Sequence, residues 1–342
     1  MSRLRLGIAG CGDIAGFVAF LARWNRGLAL AACCDVLLER ATAFARRHHI
    51  PQPYTDYAAM LERANLDAVY LAVPHHLHAR FLEIAIEHRL PALVEKPVTR
   101  TLAEGVRVTR AAEAAGVKVA VNYQYRYDAG CYALARAVQE GDIGEVRYAR
   151  INVPWHRTAA YFDGPAWHQS VAAAGGGTLI TQGSHFLDVA LWACDSPARR
   201  ATGVTAKRVF HRIEVEDLAM GIVELSNGAL VEICSSMAAP GEQAVRLEIY
   251  GSGATAIYSD RPFPHVRFVG RRVQARPVPV WGVHALQRSL EGFRRWVAGG
   301  QSHLVPASQA LPVISAVEAI YRAARSGATE EVEAVGRPPQ NS

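Results

Sequence analysis

Lysine is scarce in this chain: of its 37 basic residues, only Lys96, Lys118 and Lys207 are lysines. One of the three stands in Glu95-Lys96-Pro97, straight after the apolar run Leu90–Val94. A lysine in a pocket can surrender its proton and an arginine cannot, so a lysine at the carboxyl end of a strand points to proton chemistry beside a bound substrate. A second chemical pattern opens the chain, where Leu4–Ala9 runs into Gly10-Cys-Gly12-Asp-Ile-Ala15. In such a GxGxxA turn the first glycine permits a tight bend, the second lets the backbone approach a pyrophosphate, and the small Ala15 lets helix and strand pack closely. The phosphates would lie on the amides that open the following helix, at Asp13 and Ile14. Asp35 ends the next apolar run, Leu28–Cys34, about 20 residues past the glycines, where a carboxylate accepts bonds from a ribose 2′-hydroxyl. It would repel a 2′-phosphate, so NAD is expected over NADP, with Arg40 able to soften the preference.

A third group lies in mid-chain, from Trp155-His-Arg-Thr-Ala-Ala-Tyr-Phe-Asp163 to Trp167-His168. Flat aromatic faces and forked donors suit a polyhydroxylated ring, so the segment reads as a substrate loop carried by His156, Arg157, Tyr161, Trp167 and His168. Arg157 also suits a carboxylate or phosphate, and an aromatic core patch is the alternative for Trp155 and Trp167. The trio His75, His76 and His78 invites a metal, but no cysteine or carboxylate completes a ligand set and none is expected.

The elements that must position these groups follow from periodicity. Strands are predicted at Leu4–Ala9, Leu28–Cys34, Ala68–Val73, Leu90–Val94 and Val117–Asn122, with helices at Tyr57–Ala64, Ala79–His88 and Leu102–Ala115 between them. That alternation predicts a doubly wound parallel sheet, whose ligands lie outside the carboxyl ends of the strands, where Pro74, Glu95-Lys96-Pro97 and Asn122 fall. Further strands are predicted at Val146–Val153, Ala201–Phe210, Leu218–Leu225, Ala229–Ser235, Ala244–Tyr250 and Thr255–Tyr258, and helices at His284–Val297 and Pro312–Ala324.

Five motifs in order, Gly10–Ala15, Ala72-Val-Pro-His-His-Leu-His78, Glu95-Lys96-Pro97, Tyr123-Gln-Tyr-Arg126 and Gly175-Gly-Gly-Thr-Leu-Ile-Thr-Gln-Gly-Ser-His185-Phe-Leu-Asp188, make the chain resemble the Gfo/Idh/MocA family. These are NAD(P)-dependent oxidoreductases that include glucose-fructose oxidoreductase and inositol dehydrogenases. The resemblance implies an α/β fold: an N-terminal Rossmann domain over residues 1–123, then an α+β domain with a large open mixed sheet over 124–335. It also implies that Lys96 and His185 face the substrate carbon over the nicotinamide as acid/base groups, and that the loop with His75 and His78 borders the nicotinamide. Arg126 would lie on the substrate side of the cleft, with structural pairing the alternative. Many relatives carry an aspartate where this chain has Thr181, so His185 lacks that partner; Lys96 is then expected to carry most of the proton transfer, with Asp188 as the substitute otherwise. The implied activity is hydride transfer between NAD and a secondary alcohol of a sugar or polyol. The alternatives are a redox-neutral glycosidase or lyase acting through transient C3 oxidation, and a non-catalytic dinucleotide-binding regulator. A homodimer or homotetramer through the C-terminal sheet is a further implication.

Length and composition agree. A chain of 342 residues, 50% hydrophobic and 20% charged, accommodates two domains. Its net charge of +6 comes from scattered arginines, so nucleic-acid binding is not expected. The six cysteines form no CxxC pair and read as reduced core thiols. The N-terminus lacks the pattern of a signal peptide and no segment has the roughly 18 uninterrupted apolar residues of a membrane span, so a cytoplasmic protein is expected. The tail at 336–342 has no apolar periodicity and is expected to be flexible.

Overall fold

The computed structural model describes residues 3–164 and 166–335, so the tail expected to be flexible lies outside the described residues. The chain divides into two compact units: one runs to Gln124 and takes back Val280–Gln309, and the other holds Tyr125–Pro279 and the chain from Ala310. This corrects the expected contiguous second domain over 124–335. The physical reason lies in the helix Ala285–Val297, whose Leu286, Leu290 and Phe293 are buried in one core with Leu6, Ile8, Leu21 and Tyr70.

Among the described residues the first unit carries six strands: β1 (Leu4–Ala9), β2 (Leu28–Cys34), β3 (Gln52–Tyr54), β4 (Ala68–Leu71), β5 (Ala92–Val94) and β6 (Val119–Val121). They form one parallel sheet in the order β3-β2-β1-β4-β5-β6. The reversal between β1 and β4 is the doubly wound arrangement, and β2, β4, β5 and β6 read as unbroken apolar runs because both faces are covered. The helix Leu102–Ala115 shows how local signals set its ends. Thr101 and Glu104 close a capping box at its start, and Gly116 ends it in the left-handed conformation.

The second unit is built on eight strands: β7 (Val146–Val153), β8 (Ala198–Ala206), β9 (Leu218–Leu225), β10 (Leu230–Ser236), β11 (Arg246–Gly251), β12 (Thr255–Ser259), β13 (His265–Val269) and β14 (Glu330–Glu331). Their order is β13-β12-β11-β7-β10-β9-β8-β14, antiparallel except where β7 meets β10. Alternation along β7 from Tyr148 onward and along β9 and β10 gives the sheet two different faces. One packs on helices that include Ser184–Cys194, while the other leaves Tyr148, Val204, Met220, Ile222 and Leu230 exposed. β8 ends at Ala206, short of the expected Phe210, because the Asp217 carboxylate gathers the amides of Arg208, Val209 and Phe210 at 2.7–3.0 Å and pulls them out of the ladder.

Candidate active site

Each unit presents its own half of the expected site residues. In the first unit Gly10 follows β1 with φ of 88°, and a Cβ there would overlap the Ala72 carbonyl, so only glycine fits. A Cβ on Gly12 would meet nothing within 4 Å, and Gly12 caps a helix that begins at Asp13. The turn is thus open above a helix N-terminus, which fits the pyrophosphate of a dinucleotide. Ile14 is exposed beside it and Ala15 is fully buried. Asp35 sits at the end of β2 with its Oδ2 accepting from Cys11 N at 3.1 Å and its Oδ1 from Leu37 N at 3.1 Å. The carboxylate therefore braces the glycine turn and keeps lone pairs for a ribose hydroxyl. Arg40 approaches Asp35 at 3.4 Å from the solvent side.

Glu95 and Asn122, at the ends of β5 and β6, belong to a buried polar network. Glu95 Oε1 accepts from Tyr70 Oη and from Asn122 Nδ2 at 2.7 Å, and Asn122 Oδ1 accepts from Ser289 Oγ at 2.8 Å. Burial pushes the Glu95 carboxyl up, against the pull of these donors and of Lys96. The network holds the strand ends on which the half-buried Lys96 stands. The Lys96-Pro97 peptide is cis. His78 is completely buried, with Nδ1 2.7 Å from Pro97 O and Nε2 2.9 Å from Val73 O. Burial is the main reason its pKa falls to about 4. The imidazole, expected as a cofactor contact, faces a backbone carbonyl on each side and, being neutral, donates its one N–H to one of them, between the loop after β4 and the turn that carries Lys96. Pro74 precedes a short 3₁₀ turn that buries His75, whose ring lies 5.6 Å from that of His78. Among the described residues no set of three His, Cys, Asp or Glu is arranged to hold a metal.

In the second unit the glycine run Gly175–Gly177 leads into a π-helical turn, Leu179–Gly183, and then the helix Ser184–Cys194. Glu216 organises this entry. Its carboxylate accepts from Gly177 N at 2.7 Å, Leu179 N at 3.0 Å and Tyr321 Oη at 2.8 Å, and its carbonyl accepts from Thr178 N at 3.1 Å. A Cβ on Gly177 would overlap the Glu216 backbone, which is why the run is glycine. The sequence signals Glu216 only as one of an acidic pair, Glu216-Asp217, between apolar Val215 and Leu218, and carries no signal for Tyr321. Such π turns mark functional helices elsewhere.

His185 is buried and ringed by Tyr125, at 5.2 Å between ring centroids, and Trp155, at 5.8 Å, both edge-on. Thr181, expected to reach substrate, donates its hydroxyl to Gly177 O at 2.6 Å. Asp188 does not serve His185. Its two oxygens accept from Arg126 at 2.7 and 2.8 Å, and the guanidinium also lies 5.2 Å from the centre of the Trp192 ring. Arg126 makes the structural pairing that was the alternative to a substrate contact, because a buried cation requires a partner and Asp188 supplies one. In the mid-chain loop, Trp155 packs on His185 and Phe186, and His156 Nδ1 lies 2.8 Å from Ala239 O. Arg157 lies over the Tyr161 ring at 5.1 Å, Tyr161 stacks on His168 at 4.7 Å, and Trp167 meets His168 edge-on at 3.9 Å. The loop brings these four side chains together on a small core of Phe162, Ile213, Val215 and Met237.

Residues 4–123 match the family described as "Oxidoreductase family, NAD-binding Rossmann fold", and residues 131–257 match "GFO/IDH/MocA C-terminal domain". The chain is 28% identical over 352 residues to D-apiose dehydrogenase of Paraburkholderia graminis, covering 98% of this chain and 91% of the relative. It is 27% identical over 334 residues to D-xylose 1-dehydrogenase (NADP(+)) 2 of Haloferax volcanii, covering 96% and 98%. In fold it is similar to the WlbA dehydrogenase of Bordetella pertussis, solved with NADH and UDP-GlcNAcA, with a TM-score of 0.84 at 23% identity over 97% of this chain and 99% of that one.

Proposed function

The chain belongs to the Gfo/Idh/MocA family of NAD(P)-dependent oxidoreductases acting on sugar alcohols, and we propose that it transfers hydride between a secondary alcohol carbon of a sugar, polyol or sugar derivative and NAD, with Lys96 as the main acid/base group. The observation that carries this reading is the mounting of Lys96. It stands at the carboxyl end of β5 on a turn tied down by His78, above the Tyr70–Glu95–Asn122 network. NAD supplies the hydride acceptor when bound. Lys96 takes the hydroxyl proton in the oxidising direction and, as an ammonium, stabilises the developing alkoxide. His185 is proposed as the second acid/base group. Thr181 is bonded to Gly177 and Asp188 is paired to Arg126, and the larger share of proton transfer is assigned to Lys96.

NAD is favoured over NADP by the Asp35 carboxylate, with Arg40 beside it as the moderating cation. Val204, Met220, Ile222 and Leu230, on the open face of the second sheet, support assembly into a homodimer or homotetramer through that face. A cytoplasmic location belongs to the same reading, and no helix among the described residues is long and apolar enough to cross a membrane. The test is NADH absorbance of the purified protein with inositols, aldoses, uronates and nucleotide sugars. Accumulation of NADH with one class, lost in Lys96→Ala with NAD affinity retained, supports the proposal. Tight NAD binding without net NADH from any compound replaces it with the redox-neutral lyase or the non-catalytic regulator.

A further inference from the structure

We infer that the substrate carries an anionic group, a carboxylate or phosphate on the sugar, and that Arg157 is the residue that binds it; this rests on the dehydrogenase reading above. Three acids lie in the segment on which its loop packs, yet each is committed elsewhere. Glu214 accepts from Val171 N at 3.0 Å, Glu216 from Gly177, Leu179 and Tyr321, and Asp217 from the amides of residues 208–210. Among the described residues no carboxylate lies within 4.0 Å of the Arg157 guanidinium, although this half-buried cation sits next to an acidic run. Its Nη1 donates to the neighbouring His156 carbonyl at 3.1 Å and the guanidinium also engages Tyr161, while its Nε is shielded from solvent without an acceptor. A buried donor left in that state costs free energy that a ligand anion would recover.

The guanidinium is also held in one orientation. It lies on Tyr161, which stacks on His168 with the ring planes 19° apart, and its backbone N donates to Met237 O at 3.2 Å. A planar fork fixed in this way loses little entropy on binding a planar anion. Its place in the chain puts it near the chemistry, since two residues earlier Trp155 packs on His185.

The test measures binding to the NAD-loaded full chain by calorimetry, so that it reads out whether or not turnover occurs. Glucuronate and galacturonate are compared with glucose and galactose, and glucose 6-phosphate forms a separate arm that distinguishes a phosphate from a carboxylate. At least one anionic sugar is expected to bind about 10- to 100-fold tighter than its neutral counterpart. Arg157→Met should bring that ratio near one, and Arg157→Lys should retain part of it, since the charge survives and the fork does not. Thermal unfolding of both variants checks that they are folded. Failure of every anionic sugar to bind tighter than its neutral counterpart, or a preference that survives Arg157→Met, overturns the inference. Absence of NADH with preserved, Arg157-dependent anion preference would refute the dehydrogenase reading alone.

Discussion

Replacing Asp188 by alanine removes the carboxylate that receives both forks of Arg126, in a pocket where the two side chains are 3% and 0% exposed. The guanidinium cannot follow its charge into solvent without unpacking the helix Ser184–Cys194, and its contact with Trp192 is worth about 0.5–2 kcal/mol at most. Breaking a buried pair of this kind by removing one partner costs about 3–5 kcal/mol. For a unit of this size each kcal/mol moves the midpoint by about 2–4 °C, so Asp188→Ala should melt about 6–20 °C lower than the parent. The paired replacement Arg126→Met with Asp188→Leu removes both charges at similar volume and should lie within about 2 kcal/mol of the parent. The assay is a double-mutant cycle by urea unfolding followed through tryptophan fluorescence, with Trp192 lying in the pocket itself. A single replacement that costs under about 1 kcal/mol, or a double variant as unstable as the single ones, would refute the account of Arg126 as a buried structural cation.

Other perturbations test the remaining features. His78 is held near a pKa of about 4, below its ordinary value of 6.5, so the unfolded chain binds a proton that the folded one refuses as pH falls from about 6.5 to 4. Stability contributed above that window, about 3 kcal/mol, is therefore lost across it. Unfolding free energies at neutral and mildly acid pH should show a shallower slope in His78→Asn. Glu216→Ala strands the Gly177 and Leu179 amides and the Tyr321 hydroxyl, which predicts a loss of about 2–4 kcal/mol and faster hydrogen exchange at those two amides. Ile222→Glu, on the open face of the second sheet, should shift the protein to a smaller species by light scattering while its melting profile stays two-sided and cooperative.

The sheet-forming runs of both units were legible because their burial writes itself into local pattern: β1, β2, β7 and β9 lie where unbroken or alternating apolar residues place them, and Leu102–Ala115 ends where Thr101 and Gly116 require. The helix Ala129–Gln139 was not predicted, since its small buried residues on several sides give little contrast between faces. Strand β3 is three residues long and leaves no period to detect. Among the site residues, the glycine turn and Asp35 were readable as spacing. What Arg126 and Glu216 touch was not, because Asp188 lies 62 positions from the first and Gly177 lies 39 from the second, and nothing in the intervening chain records the pairing.

The return of Val280–Gln309 to the first unit bears on how the protein is made. The N-terminal sheet is synthesised first, yet Leu286, Leu290 and Phe293, which fill its core, and Val305, whose carbonyl accepts from Val121 N at 2.9 Å, arrive only after the whole of β7–β13 has been synthesised. A nascent chain paused before residue 280 holds an apolar surface with no cover, and the intervening unit must reach a state that brings its two ends back to the same neighbour. Fragments cut at Gln124 inherit the same deficit, so a portable dinucleotide-binding module from this protein would have to carry the later segment in trans or as a permuted fusion.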